Sequence, residues 1–204
     1  MAPANAGDLA AGAKAILLTH AHGDHATGTA SLAASTGATV LTTVEVASYI
    51  AAQGAAEEQC VGFNIGGATE VHGMRVTLVQ ALHSSSNDWA GGSPLQVGAP
   101  CGFVVELPGG PVIYNTGDTG VFGDMALIAE LYRPNILFLP IGDFYTMGAK
   151  QAAKAVELVE PEWIVPQHYA TFPGLPGTVE AFQQALLPKY RDRVLVLDPG
   201  VTVS

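Results

Sequence analysis

AILLTHAHGDH, residues 15 to 25, runs from an apolar stretch straight into a segment that holds half of the chain's six histidines. An apolar run of this length, AILLT, reads as a buried strand. In THAHGDH, residues 19 to 25, His20 and His22 alternate as on the end of that strand, while Asp24 and His25 fall in the turn before a helix that begins near Thr27. Side chains from a strand end and a tight turn can converge on one point, as metal ligands must. With six His and eight Asp in 204 residues, shuffling produces His-x-His-x-Asp-His about twice in ten thousand trials, so chance is a weak rival. The plainer alternative is a polar turn whose imidazoles cap backbone groups.

Outward from this stretch, further apolar runs read as strands: 76 to 81, 103 to 107, 112 to 115, 136 to 140, 163 to 166 and 194 to 197. Helix-like stretches lie between several of them, from Thr27 to before Gly37, from Val44 to Gln53 with Thr43 as N-cap and Gly54 as stop, and over 124 to 132, 149 to 159 and 178 to 187. Pro108-Gly109-Gly110 joins two strands as a hairpin. Strands alternating with helices indicate an α/β class, and the absence of linker or repeat makes 1–204 one domain. The long connection from 84 to 100, with Trp89, is expected to shape a pocket.

Three more residues stand just past apolar strands: His83 after VTLVQAL, Asp118 after VIYNTG and His168 after WIVPQ. Ligands in α/β folds gather at the carboxyl ends of strands. Each of these alone reads as a hydrogen-bonded structural residue, but four strands delivering His or Asp to one end is what a metal site requires. His72, beside Gly73, reads as a solvated turn residue.

Composition narrows the partners. The formal net charge is −10, from eight Lys+Arg against eighteen Asp+Glu, and without a basic cluster a nucleic acid would be repelled. No apolar run approaches a membrane span and the amino terminus lacks a signal, so with Met1 taken as the natural start the protein reads as cytoplasmic, without a membrane partner. Cys60 and Cys101, far apart in apolar surroundings, read as two core thiols rather than a disulfide.

With these residues assembled, the sequence resembles the metallo-β-lactamase superfamily of binuclear hydrolases, and within it the UPF0173 group of metal-dependent hydrolases, relatives of the L-ascorbate-6-phosphate lactonases. The likeness runs through ILLTHAHGDH, NIGG at 64 to 67, HSS at 83 to 85, GDTGVFGDM at 117 to 125, LPIGDFYTMG at 139 to 148 and PQHYATFPG at 166 to 174. It implies an αββα sandwich. It also implies that His20, His22 and His83 hold one metal, that Asp24, His25 and His168 hold a second, and that Asp118 bridges both. An iron-oxidase branch has Glu for the second histidine of the first motif and lacks the final one; His22 and His25 favour the hydrolase branch. Two divalent ions sharing Asp118 would bring a bridging water from a pKa of about 15.7 towards roughly 7. The resulting metal-bridging hydroxide would attack a small ester, lactone or phosphoester, with Asp24 or Asp118 orienting it or carrying its proton. Zinc is the first expectation for the two ions, with manganese, iron or nickel also admitted by a mixed His/Asp set. Ser84, Tyr145, Thr146, Tyr169 and Thr171 are candidates for contacts with the small-molecule substrate or with the ligands. Asn115 stands where the family usually has His.

Relatives usually begin some tens of residues earlier, so the resemblance implies that the usual N-terminal strands are lacking and that AILLT has an exposed edge. A late start or shortened chain, a second chain, or a homo-oligomer covering that edge are the competing explanations. A noncatalytic metal-binding module, inactive without the missing segment or a partner chain, is the alternative to the hydrolase, and metal-dependent redox chemistry is a third reading.

Overall fold

The computed structural model describes residues 10–87, 94–171, 173–198 and 200–201. The opening stretch forms β1 (Ala15–Leu17), then two helices, α1 (Gly23–Ala26) and α2 (Thr29–Thr36). The helix expected from near Thr27 to before Gly37 is α2, and the turn expected to carry Asp24 and His25 is the one-turn helix α1. Thr27, extended at ψ 127°, and Gly28, at φ 85°, separate the two.

The chain continues through β2 (Thr39–Thr43), α3 (Val44–Ala52), β3 (Cys60–Phe63), β4 (Ala68–Val71), β5 (Met74–Gln80), β6 (Cys101–Glu106) and β7 (Val112–Asn115). It ends with α4 (Met125–Tyr132), β8 (Ile136–Pro140), α5 (Ala149–Val159), β9 (Trp163–Gln167), α6 (Val179–Ala185) and α7 (Pro188–Arg191). One sheet has the order β1-β2-β3, all parallel; the other runs β4 to β9 in sequence order, antiparallel as far as β7 and parallel from β7 to β9. The Pro108-Gly109-Gly110 turn joins β6 to β7 as expected.

Period-two alternation assigns each strand residue to one of three apolar layers. Ile16, Leu18 and Val40 face α2 and α3, while Ala15, Leu17 and Leu41 meet Val76, Leu78, Phe103 and Val105 between the sheets. Val79, Val104, Tyr114, Leu137 and Leu139 face α4, α5 and α6 on the far side. The result is helix, sheet, sheet, helix, the αββα sandwich.

Three strands have no counterpart among the apolar runs of the sequence. β2 mixes Thr with Val and Leu, β3 is half-exposed, and β4 alternates exposed with half-buried residues, so none presents a plain apolar run. The segment 194 to 197, expected as a strand, makes only one isolated bridge, Val194 to Ile164, and Val196 is exposed. It touches β9 and then leaves the sheet. Thr43 does occupy the N-cap position of α3, but its hydroxyl donates to the Ala99 carbonyl (3.3 Å) rather than capping the helix. His72 is exposed at φ 48° in the β4–β5 turn, and both cysteines are free, Cys101 buried and Cys60 packed against the first core. Trp89 lies outside the described residues. Among the described residues, no helix is long and apolar enough to cross a membrane.

Candidate metal centre

The site forms where both sheets end in loops at the same edge of the sandwich. After β1 the backbone crosses to the second sheet, with the Cys101 N–H donating to the Thr19 carbonyl (2.9 Å), and this fixes the direction in which His20 leaves the strand. His22 takes the N-cap position of α1. β5 delivers His83, β7 delivers Asp118 and β9 delivers His168. Gly117, at φ 61°, allows the approach of Asp118: a Cβ there would lie 2.6 Å from the Cys101 carbonyl.

All seven residues read from the sequence are brought together. Asp118 Oδ2 lies at the centre, 3.2 Å from His25 Nε2, 3.2 Å from His168 Nε2, 3.9 Å from His83 Nε2 and 4.0 Å from His20 Nε2. His20 Nε2 and His22 Nδ1 are 3.0 Å apart, and Asp24 Oδ2 lies 3.3 Å from His168 Nε2. Three groups have ligand atoms within 4.8 Å of one another: His20, His22 and His83; His20, His25 and Asp118; Asp24, His25 and His168.

The donor set fits a divalent cation on two physical grounds. Buried polar atoms are almost always hydrogen-bonded. Asp118 Oδ1 has no such partner, and His25 Nε2 lies close to Asp118 without the alignment a hydrogen bond needs. The second ground is electrostatic. Burial opposes a charge on His25, yet the Asp118 and Asp24 carboxylates raise its ring to about 9, and the bond to Asp24 raises His168. The bond to His168 and the nearby His25 ring hold the Asp24 carboxyl well below its usual range; His25 does the same for Asp118 against the effect of burial. Burial lowers His20 to about 3 and also lowers His83, so these rings are neutral and offer lone pairs. The centre of the cluster therefore attracts positive charge, as a divalent cation would supply.

Among the other candidates, Ser84 and Tyr145 line a cavity of about 460 Å³ over the cluster, and Ser84 Oγ is 3.3 Å from His22 Nε2. Thr146, Tyr169 and Thr171 do not line it; Tyr169 packs against the helix-side core and Thr171 is exposed. The residues that hold the loops were not among the sequence candidates. Thr19 Oγ1 is hydrogen-bonded to His20 Nδ1 (2.9 Å), which turns Nε2 to the centre. Ser85 Oγ accepts from the Ala21 N–H (3.2 Å) and donates to the Val97 carbonyl, and Thr119 Oγ1 accepts from the Leu82 N–H (2.9 Å). Nearness to a ligand in the sequence is the only signal any of these three carries. Asn115 accepts through Oδ1 from the Gly117 N–H (2.9 Å) and from Gln167 Nε2 (3.2 Å), tying the Asp118 loop to the strand that leads to His168.

Residues 1–169 match the family described as a beta-lactamase superfamily domain. A UPF0173 metal-dependent hydrolase of Herpetosiphon aurantiacus is 48% identical over 187 residues, which cover 91% of this chain and 77% of that protein. One from Methanosarcina mazei is 46% identical over 189 residues, 93% of this chain and 80% of that protein. Among solved structures, a metallo hydrolase of the archaeon Ignicoccus hospitalis superposes with a TM-score of 0.80 at 34% identity, over 93% of this chain and 78% of its own. With this site at the edge of an αββα sandwich and these relatives, the chain belongs to the metallo-β-lactamase superfamily, within its UPF0173 group of metal-dependent hydrolases.

Proposed function

We propose that the protein is a two-metal hydrolase of a small ester, lactone or phosphoester. The observation that carries the reading is Asp118, 3% exposed, with one carboxylate oxygen among four imidazole nitrogens and the other without a partner. His20, His22 and His83 would hold one ion, Asp24, His25 and His168 the other, and Asp118 both. Zinc suits the imidazole-rich set, with manganese, iron or nickel compatible with its carboxylates. When bound, the ions would supply an acidified water as nucleophile and polarise the oxygen of the bond under attack.

The chain's own residues orient and carry protons. Thr19 sets the aim of His20 through its hydrogen bond to Nδ1, as outer partners of metal-ligating histidines do. Asp24, more than half exposed and in contact with His25 and His168, has an oxygen in reach of solvent and is placed to take a proton from the attacking water and return it to the leaving group. Ser84 and Tyr145 face the cavity where the substrate would lie.

The test is turnover of ester, lactone and phosphoester panels by protein loaded with zinc or manganese. Activity abolished by chelator and by Asp118→Ala, and restored to wild type by metal, supports the reading. A protein that holds two ions and turns over none of the three classes would be the noncatalytic module instead.

A further inference from the structure

Resting on the hydrolase reading above, we infer that the substrate is an ester or lactone whose far arm bears no phosphate or carboxylate, and that Tyr145 is the wall against which this arm lies. The first observation is where the cations of this sequence lie. All eight Lys and Arg residues fall within the described residues, and none lines either cavity at the cluster.

Their places explain why. Lys14 precedes β1, at the end opposite His20. Arg75, the second residue of β5, pairs with Glu106 (3.7 Å), five residues, or about 17 Å, from the end that leads to His83. Arg133 follows α4 at the entry of β8, and Arg193 donates to the Pro161 carbonyl at the entry of β9, again the far ends of their strands. Lys189 is paired with Glu160, Lys154 with Glu157, and Arg191 donates to the Gln184 and Leu186 carbonyls at the end of α6. Lys150, exposed in the first turn of α5, is the nearest in sequence to Tyr145 and still does not reach the cavity wall.

A distal phosphate or carboxylate is ordinarily held by the fork of an arginine or the ammonium of a lysine. Here it would leave water without such a partner, in a chain of net charge −10. An uncharged arm meets no such penalty.

The second observation is the wall itself. Beyond β8 the backbone takes left-handed conformations at two successive non-glycine residues, Asp143 (φ 64°) and Phe144 (φ 49°). The turn is held by the Asp143 N–H donating to the Met147 carbonyl (3.1 Å) and by Asp143 Oδ1 accepting from the Phe144 N–H (2.9 Å). Such backbone persists only where its surroundings hold it. It presents Phe144 and Tyr145 as an edge-to-face pair, centroids 4.6 Å apart, 76% and 53% exposed, with Tyr145 in the cavity wall beside Ser84. Aromatic surface in a cavity without cations suits an apolar or aromatic arm.

The test uses two aryl acetates on the metal-loaded protein, identical except for a para group that is methyl or carboxymethyl. The carboxylate is expected to have a kcat/KM about tenfold or more below the methyl compound, mainly through KM, with the gap narrowing as salt rises. Calorimetric binding of the corresponding non-hydrolysable aryl ethers should follow the same order. Tyr145→Arg should raise kcat/KM for the carboxylate relative to the methyl ester by about tenfold, while Lys150→Ala leaves the ratio unchanged. A carboxylate turned over as well as the neutral ester, or a ratio that Tyr145→Arg does not move, overturns this inference and leaves the hydrolase reading standing. No turnover of any ester, lactone or phosphoester by fully loaded protein overturns both.

Discussion

Gly142 stands where β8 leaves the sheet, and a Cβ built on it would lie 2.1 Å from the His168 carbonyl oxygen and 2.9 Å from Leu175 Cδ2. Carbon and oxygen settle no closer than about 3.3 Å, so Gly142→Ala must part the two backbones by about 1 Å. β8 and β9 are paired as far as Pro140 and Gln167, and the strain therefore falls on the next residues, which include His168. His168 Nε2 sits 3.3 Å from Asp24 Oδ2 and 3.2 Å from Asp118 Oδ2, and a shift of that size opens both contacts. Overpacking of this kind costs about 1–3 kcal/mol. At about 2–4 °C per kcal/mol for a chain of this size, the melting temperature should fall by roughly 3–10 °C. Misplacing one ligand by 1 Å should also lower turnover by about a hundredfold. Scanning calorimetry with and without chelator reads the first effect and steady-state kinetics the second. A variant that melts within about 1 °C of wild type and keeps its turnover refutes the idea that this glycine sets the aim of His168.

Three further outcomes follow from other parts of the molecule. Asp118→Asn keeps the side chain's shape but removes the shared charge, so metal content measured after dialysis should drop from two ions to one or none, with folding retained by circular dichroism. Leu78→Ala, fully buried between the sheets, should cost about 2–5 kcal/mol in urea denaturation, and a loss below about 1 kcal/mol would contradict the layer assignment. Burial pushes the Cys101 thiol up from its ordinary 9.0 to about 12. The folded chain thus keeps a proton that the unfolded chain releases above pH 9; the stability this confers is whole below pH 9 and is lost as pH rises towards 12, at up to about 1.4 kcal/mol per unit. Comparing wild type with Cys101→Ala at pH 8 and pH 10 should expose that difference in slope, and parallel curves would exclude it.

What the sequence disclosed and what it withheld follow from the same physics. His20, His22, Asp24 and His25 are crowded into six residues, and His83, Asp118 and His168 each follow an apolar run, so density and position mark all seven in the sequence alone. The strands around them are legible where both faces are buried, as in ILFLP of β8. They are hidden where one face looks to solvent, as in ATEV of β4, or where Thr dilutes the apolar signal, as in β2. VLVL at 194 to 197 fails in the opposite sense, an apolar run with no strand to pair beyond one bridge. Ser85 and Thr119 are silent in the sequence because they act by hydrogen bonding to backbone 64 and 37 residues away, which no local pattern encodes. Thr19 is silent for another reason: a threonine at the end of a strand is ordinary, and only the position of its hydroxyl beside His20 gives it a task. The lack of cations at the site is likewise a property of the fold, since the spacing of Lys and Arg along the chain does not give their distance from it.

Whether these seven side chains hold two metal ions is read by plasma mass spectrometry of protein purified without chelator and without a histidine-rich tag. Close to two divalent ions per chain, falling sharply in His22→Ala and Asp118→Ala, is the expected result. Metal-free protein that cannot be reloaded, or variants that keep both ions, would contradict it.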